Sequence, residues 1–362
     1  MTMKPILEPD ALREGRPEVW ALMKNGAPAL MTALVGEQAM RQYEGRSIRD
    51  VMASMMPGGT FSRNAVMSAM GTDDFRNLIQ ETVSITALAA HALHMPEILK
   101  IGIEVFDIDD FRERTRVRIT GLDKLLENRE HQELAYGAID AMAEAWAVSR
   151  FGRLYEVTEN AIVNDQTGAL LNIGSAAGAA VASLKGNTLA KLVDDNPAMK
   201  DGKPVFHADH GNLVEVVTPV VLEGNLKEAA LKMRKQTFGE GDNLQIIDIR
   251  PKYLLVPAER EAEALKAVAS VTAGNTGDVN PFAGRLEVVV EPRLSDPDSW
   301  YLFSDPVMHS GIEYGSLYGD GSPQVETGKP ITSYSTHTRV TAYFGAGWID
   351  HRGAVKVTQI PE

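Results

Sequence analysis

The residues most able to do chemistry in this sequence lie within four positions, at His207, Asp209 and His210. Two imidazoles and a carboxylate this close together could ligate zinc or act as a general base. Metal sites usually take their ligands from separated elements, however, and no H-E-x-x-H pattern or comparable second motif accompanies this one. The spacing therefore favours a turn held by side-chain hydrogen bonds, and a metal-dependent hydrolase is the rival interpretation.

Other patterns that could carry chemistry are weaker. Asp350, His351 and Arg352 form a second polar cluster, which we interpret as structural. The sequence has no G-x-S-x-G motif, so a serine hydrolase would lack its nucleophile elbow. Its glycines do not form a phosphate-binding loop, because the Gly-Lys-Ser/Thr ending is missing. The chain has no cysteine, which excludes disulfides and thiolate metal sites. We therefore predict no catalytic, cofactor-binding or metal-binding residue.

The bulk composition is that of an ordinary folded protein. The 362 residues are 44% hydrophobic and 23% charged, and the length predicts roughly two to three subdomains. The formal net charge of −13 argues against a general nucleic-acid-binding surface. The first ten residues show no signal-peptide pattern, and no apolar run approaches the ~20 residues that cross a bilayer. We predict a protein that is cytoplasmic where it is made and has no membrane partner.

A long amphipathic stretch from Asp165 to Val193 predicts the element around which the rest of the chain is organised. Asn164 and Asp165 can cap a helix start, and the turn-favouring run from Asp194 to Pro197 ends it. At 1.5 Å rise per residue the helix would be roughly 40 Å long. It is either an ordinary core helix or a strut along which a thin, flat subunit is built. Steps of three and four predict one buried face, at Leu170, Ile173, Ala177, Val181, Leu184 and Leu192.

Alternating arginines give the clearest strand pattern in the sequence. Arg112, Arg114, Arg116 and Arg118 share one face of a strand because side chains alternate with period two. These four like charges must face water or meet an acidic surface. A second strand is predicted from Ala147 to Val157, and the two would form a long ribbon that needs a partner surface. The alternative is two strands of a larger internal sheet.

The other segments predict a mixture of helices and strands. The segments after the long helix mix predicted strands with flanking helices, which we interpret as a compact α+β subdomain. The predicted helices are Asp73–Leu99, Leu226–Lys235 and Ala258–Ser270; the predicted strands are Ile246–Ile249, Tyr253–Val256, Leu286–Val290 and Trp300–Phe303, followed by a hairpin of Gln324–Thr327 and Thr338–Phe344 with its tip near Ile331–Ser335.

Residues 1–70 differ from the rest of the chain. They are rich in methionine and contain short helical patterns broken by glycine and proline. Methionine adapts its shape easily and is common at surfaces that fit more than one partner. The segment is either a small helical subdomain with a Met-filled core or a scaffold-like extension or arm that packs on neighbouring subunits. Cleavage of this segment is a further hypothesis.

Several runs, in the same order over roughly residues 71–362, resemble major capsid proteins of Mu-like tailed phages, which are also found fused behind a prohead protease. The first run enters the predicted long helix, and the last lies close to the C-terminus. The runs that carry the resemblance are Arg153–Asp165, Phe206–Leu213, Pro251–Pro257, Gly277–Leu286, Glu291–Leu294, Trp300–Leu302 and Ile349–Gly353.

The resemblance implies the Hong Kong 97-type capsid fold, an α+β fold in which Asp165–Val193 would be the spine helix and the arginine ribbon would be the extended loop. The implied division is an N-terminal extension at 1–70, an N-arm at 71–108, an extended loop at 109–157, a peripheral domain at 158–215 and 318–345, and an axial domain at 216–317 and 346–362.

The implied function is that of a structural major capsid protein, without enzymatic activity, that self-assembles into the icosahedral head of a tailed bacteriophage. The implied partners are other copies in pentamers and hexamers, a prohead protease, scaffold, portal and decoration proteins, and enclosed double-stranded DNA bound without sequence recognition. The virion is the implied location, after assembly in the host cytoplasm. Arg114 and Arg116 would meet acidic residues of a neighbour. The rivals are the hydrolase centred on His207, Asp209 and His210, and a cellular nanocompartment shell.

Overall fold

The computed structural model describes residues 73–122, 139–158, 169–218, 220–221, 223–238, 244–269, 284–319, 321–328 and 335–360. The predictions for residues 1–70, for the start of the long helix before 169 and for the hairpin tip at 331–334 lie outside these ranges. The described residues belong to two compact units. Unit 1 contains the described residues within Met1–Met95, Arg150–Leu184 and Gly321–Tyr343. Unit 2 contains those within Pro96–Ser149, Lys185–Asp320 and Phe344–Glu362.

The described elements confirm the predicted α+β class. None of the described helices is both long and apolar enough to cross a membrane. The helices are α1 Asp73–Leu93, α2 Ala169–Asp194, α3 Glu223–Arg234, α4 Glu261–Val268 and α5 Pro306–His309. The strands are β1 Ile103–Val105, β2 Arg114–Leu122, β3 Ile139–Trp146, β4 Ser149–Thr158, β5 Leu213–Val216, β6 Thr237–Phe238, β7 Gln245–Ile246, β8 Pro251–Val256, β9 Glu287–Val290, β10 Trp300–Ser304, β11 Ile312–Gly315, β12 Gln324–Gly328, β13 Ser335–Trp348 and β14 Ala354–Gln359.

Unit 1 is built on a very close approach of α1 to the first half of α2. A Cβ atom added at Gly178 would lie 2.1 Å from the carbonyl oxygen of Ala87, and one at Gly174 would lie 2.8 Å from that of Val83. Only glycine leaves room for such a contact between a helix and a neighbouring backbone. The helix prediction is confirmed, but its buried face is centred on Gly174 and Gly178, while Leu184 is only partly buried.

The sheet of unit 1 packs its apolar face against these helices. β12 pairs antiparallel with the first half of β13, with Val325 opposite Val340, and β4 also pairs with β13. Alternate side chains of β13 therefore point to one face. The resulting core contains Val83, Ala87, Ala177, Val181, Val325, Val340 and Ala342.

Unit 2 is centred on a mixed sheet in the order β5-β14-β10-β8-β9. β10 runs antiparallel to both β14 and β8, whereas β5 and β9 run parallel to their neighbours. Both faces of the central strands are buried, since Tyr301 and Phe303 join one core cluster while Trp300 and Leu302 join another. This explains the continuous apolar run of the sequence there. The predicted strands Tyr253–Val256 and Trp300–Phe303 are confirmed.

Helical segments cover the two faces of this sheet. The end of α2 and the short turn Glu97–Ile101 contribute to one cluster, and α3 and α4 contribute to the other. The predicted helix Ala258–Ser270 is shorter than expected, because Ala258–Arg260 forms a separate 3₁₀ turn before α4. The predicted strand Ile246–Ile249 is reduced to the two residues of β7.

The arginine ribbon needs one correction. β2 pairs antiparallel with β3, so that Arg116 lies opposite Glu144, whereas the predicted partner strand is β4, which pairs with β13. The eight residues of β3 include three alanines, one aspartate and one glutamate, which have low strand propensity, and pairing with β2 overrides that propensity. The side chains of Trp146, at the end of β3, and of Val148, two residues later, are buried.

Candidate functional site

The histidine motif forms the short turn Ala208–His210 in unit 2. The Nδ1 atom of His207 accepts a hydrogen bond from the Asp209 N–H at 3.1 Å, and Gly211 ends the turn with a left-handed φ of 63°. Lys203 lies 2.8 Å from the carboxylate of Asp209. The prediction of a turn held by Asp and His side chains is confirmed.

His210 is buried, and both of its ring nitrogens are occupied. Nδ1 lies 2.9 Å from the Val205 carbonyl oxygen, and Nε2 lies 2.7 Å from Asp201 Oδ2. A carbonyl and a carboxylate only accept hydrogen bonds, so both ring nitrogens of His210 face acceptors within the protein. Desolvation opposes the charge of Asp201, but the hydrogen bonds from His210 and from the Lys203 N–H, with the charges of the nearby histidines, together outweigh it and hold the pKa of that carboxyl below its ordinary value.

A second histidine stacks on this ring from far away in the sequence. The rings of His210 and His351 lie 3.9 Å apart, with an angle of 13° between their planes. Asn212 ties the same region together, because its amide donates to the carbonyl oxygens of Val205 and His351. Burial, followed by the positive charge of His210, lowers the pKa of His351 from 6.5 to about 4.

This arrangement does not support the metal interpretation. A metal ligand must offer a free lone pair, and those of His210 are taken by its hydrogen bonds. Within the described ranges, no group of three or more His, Cys, Asp or Glu side chains is placed to hold a metal ion. The cluster instead fixes the backbone between Asp201 and Asn212.

The low pKa of His351 predicts a loss of stability in mild acid. The unfolded imidazole binds a proton near pH 6.5 and the folded one only near pH 4, so the unfolded state gains protons first as the pH falls. We expect the free energy of unfolding to drop by about 2 kcal/mol between about pH 7.5 and about pH 5, as measured by denaturant titration.

The control for this pH effect is His351→Phe, which keeps an aromatic ring on His210 and removes the titration. Over the same pH range, the free energy of unfolding of this variant should fall by about 2 kcal/mol less than that of the wild type. The exposed Asp201 and the buried Asp350, whose carboxyls have lowered pKa values, affect stability only below about pH 4. An unchanged pH dependence in the variant would contradict the assignment.

The second polar cluster is also structural. Asp350 is fully buried, accepts hydrogen bonds from the backbone N–H and the Nε of Arg352, and lies 3.2 Å from His309 Nε2. Burial opposes its charge, but His309 and Arg352 outweigh burial and hold its pKa far below the ordinary value. These contacts support the interpretation of this cluster as structural.

The arginines of β2 have partners within the protomer. Arg116 Nε lies 3.0 Å from Glu313 Oε1, and the Glu313 side chain is only 5% exposed. Arg114 donates to the carbonyl oxygen of Asp107, while Arg112 is almost fully exposed. The backbone register places Arg118 opposite Met142. The side chain of Arg118 is not among those that the structure describes.

Arg116 therefore has a carboxylate partner in its own chain, and the expectation that the arginines of the ribbon meet acidic residues of a neighbour stays a prediction. Sequence reasoning missed Glu313. Its signal was a single acidic residue inside the short apolar run from Ile312 to Gly315, where an unpaired carboxylate would be costly.

Solved structures with a similar fold include phage capsids. The capsid of the cyanophage P-SCSP1u aligns with a TM-score of 0.51 and 11% identity, covering 74% of this chain and 89% of that chain. The capsid of Ralstonia phage GP4 aligns with a TM-score of 0.49 and 9% identity, covering 72% and 88%. A chain of Mycobacterium phage Che8 gives 0.47 and 15%, covering 73% and 91%. The first alignment confirms the predicted Hong Kong 97-type fold.

A family model provides evidence that is independent of the fold. A search of curated proteins finds no match. The model described as "phage capsid protein" matches residues 142–357, which is more than half of the chain and includes the histidine turn, α2 and the sheet of unit 2. This chain belongs to the phage capsid protein family.

Proposed function

We propose that this protein is the major subunit of an icosahedral tailed-phage head that encloses double-stranded DNA. The observation that carries the proposal is the family match over residues 142–357. Membership of that family makes the chain a structural protein of a phage capsid and not an enzyme. Icosahedral symmetry and the enclosed genome are the parts that we add.

The proposed assembly uses rings of five and six copies. A ring contact is heterologous, so each copy offers two different surfaces, and the ring closes by rotation. A single exposed ion pair contributes only about 0–1 kcal/mol, and shell stability must therefore come from many repeated contacts. We expect assembly to depend on salt, because exposed charges are screened.

The proposed relation to DNA is containment. The net charge of −13 disfavours tight wrapping of a polyanion, since binding to phosphate depends on Lys and Arg.

We further propose a Mu-like relationship, the domain division given above with its N-arm, extended loop, peripheral and axial domains, and assembly in the host cytoplasm. Prohead protease, scaffold, portal and decoration proteins would be separate gene products.

Particle formation tests this function. We expect the purified full-length chain to elute as closed particles with a mass in the megadalton range by light scattering, and negative-stain electron microscopy should show uniform shells. A monodisperse monomer under all salt conditions would contradict the proposal. Shells that carry enzymes as cargo would favour the nanocompartment alternative instead.

A further inference from the structure

The base of the arginine ribbon carries four side chains on one face. In the ladder of β2 and β3, Arg114 lies opposite Trp146 and Arg116 lies opposite Glu144. Directly opposite residues of an antiparallel pair point to the same face, and so do residues two apart along a strand. We call these four side chains the ribbon foot. Arg114 and Trp146 form its inner rung, and Arg116 and Glu144 form its outer rung.

The inner rung is attached to unit 2 on both strands of the ribbon. Trp146 is only 5% exposed. A Cβ atom added at Gly347 would lie 2.9 Å from the Trp146 Cγ, and one added at Gly315 would lie 3.4 Å from its Cη2. The missing side chain at Gly347 therefore lets the indole lie directly on β13. On the other strand, Arg114 donates to the carbonyl oxygen of Asp107.

The outer rung is also attached on both strands, by polar contacts. Arg116 Nε lies 3.0 Å from Glu313 Oε1, and Glu144 Oε1 accepts a hydrogen bond from the Lys200 N–H at 3.0 Å. Glu313 belongs to β11, and Lys200 belongs to the segment that follows α2. The two strands of the ribbon are thus held by two separate elements of unit 2.

The spacing of these contacts determines what they restrain. The two rungs are about 7 Å apart along the strands, and the strands are about 5 Å apart. Contacts at the four corners of such a rectangle restrain both tilt and twist, whereas contacts along one line would leave a rotation free. Loss of the Arg116 contact would leave the Glu313 carboxylate, which is 5% exposed, without its partner. Because an unpaired buried charge is costly, the closed outer rung is the favoured state.

We propose that the ribbon foot fixes the direction of the ribbon within its own protomer, with the outer rung acting as a clasp that sets the tilt of the ribbon over the inner rung. A two-stranded ribbon is marginally stable by itself, and the foot supplies support that the sequence pattern would seek from a neighbour. A single copy then presents the ribbon in one orientation, which lowers the ordering cost of any contact that the ribbon makes.

A distance measurement between two spin labels tests the foot. The chain has no cysteine, so labels can be placed by Leu122→Cys at the end of β2 and Lys191→Cys at an exposed position of α2. Labelled chains are mixed with an excess of unlabelled chains, so that only the distance within one chain is measured. We expect one narrow distance distribution. The combination of Glu144→Ala, Arg116→Gln and Glu313→Gln should broaden it at least about twofold.

The triple variant includes Glu313→Gln because this change leaves no buried charge without a partner. The matched control is Glu113→Ala, which removes an exposed carboxylate at the base of the same ribbon and should keep the distribution narrow. A wild-type distribution that is already broad, or an unchanged distribution in the triple variant, would overturn the proposal. The distance lies within one chain, so the result does not depend on whether the chain forms shells.

Hydrogen exchange of the Lys200 amide, measured by NMR, gives a second readout that survives a folding defect of the triple variant. This N–H donates to Glu144, and Lys200 is otherwise exposed. Glu144→Ala should speed its exchange about tenfold. Glu144→Gln keeps an acceptor oxygen and should exchange as the wild type does. Equal exchange in all three proteins would overturn the outer rung as a clasp.

Discussion

Replacement of Gly178 by alanine is expected to destabilise unit 1 severely. The added Cβ would lie 2.1 Å from the Ala87 carbonyl oxygen, 2.8 Å from the His91 N and 2.9 Å from the Ala90 Cβ. Two of these atoms are backbone, so α1 and α2 would have to move apart and expose their shared core. We expect the free energy of unfolding to fall by about 3 kcal/mol or more, as measured by denaturant titration.

Gly224→Ala is the matched control for this change. Gly224 is also in a helix, α3, and no atom lies within 4 Å of a Cβ added there. Alanine is the better helix former by about 1 kcal/mol, so this variant should be as stable as the wild type or slightly more stable. Wild-type stability of Gly178→Ala would show that α1 does not pack on α2 at this position.

Arg116→Glu is expected to destabilise the folded protomer before any assembly. Glu313 is 5% exposed and has the Arg116 guanidinium, which is 52% exposed, 3.0 Å away. The substitution would place a second carboxylate beside the buried one. Because a buried charge that loses its partner is costly, we expect the free energy of unfolding to fall by about 2–3 kcal/mol, again by denaturant titration.

The control is Arg112→Glu on the same ribbon. The Arg112 side chain is 90% exposed, and its Nε lies as far as 3.9 Å from Asp110 Oδ2. The same change of charge should therefore alter the free energy of unfolding by less than about 0.5 kcal/mol. Adding Glu313→Gln to Arg116→Glu should recover part of the loss. Equal stability of Arg112→Glu and Arg116→Glu would contradict the pairing.

Elements with a strong local pattern were predictable from the sequence. The long helix follows from apolar steps of three and four, and the central strands of unit 2 follow from continuous apolar runs such as Trp300–Phe303. The predicted buried face of α2 is confirmed at Ala177 and Val181, while Leu184 is only partly buried and packs against the same core. The close backbone contact at Gly174 and Gly178 makes the small residues the buried ones.

Contacts between distant segments were not predictable. The stacking of His210 on His351 joins residues 141 positions apart, and Arg116 meets Glu313 across nearly 200 positions. No local periodicity carries information on such pairs. For the same reason the partner strand of β2 was assigned to β4, although β3 takes that place through tertiary pairing.

For the candidate site, the sequence mainly argued against a metal centre. Residue spacing favoured a structural turn at His207–His210 over a metal centre, and the geometry of the hydrogen bonds agrees. The capsid assignment came from the resemblance of several runs in order, and the family match extends over the same part of the chain.

Electron cryomicroscopy of particles assembled from the full-length chain tests the central claim most directly. The account predicts a closed shell with five- and six-fold rings, in which every subunit contains units 1 and 2 as described and contacts further copies of itself. Particles that prove to be irregular aggregates, or a shell whose density does not accommodate α2 and the five-stranded sheet of unit 2, would contradict it.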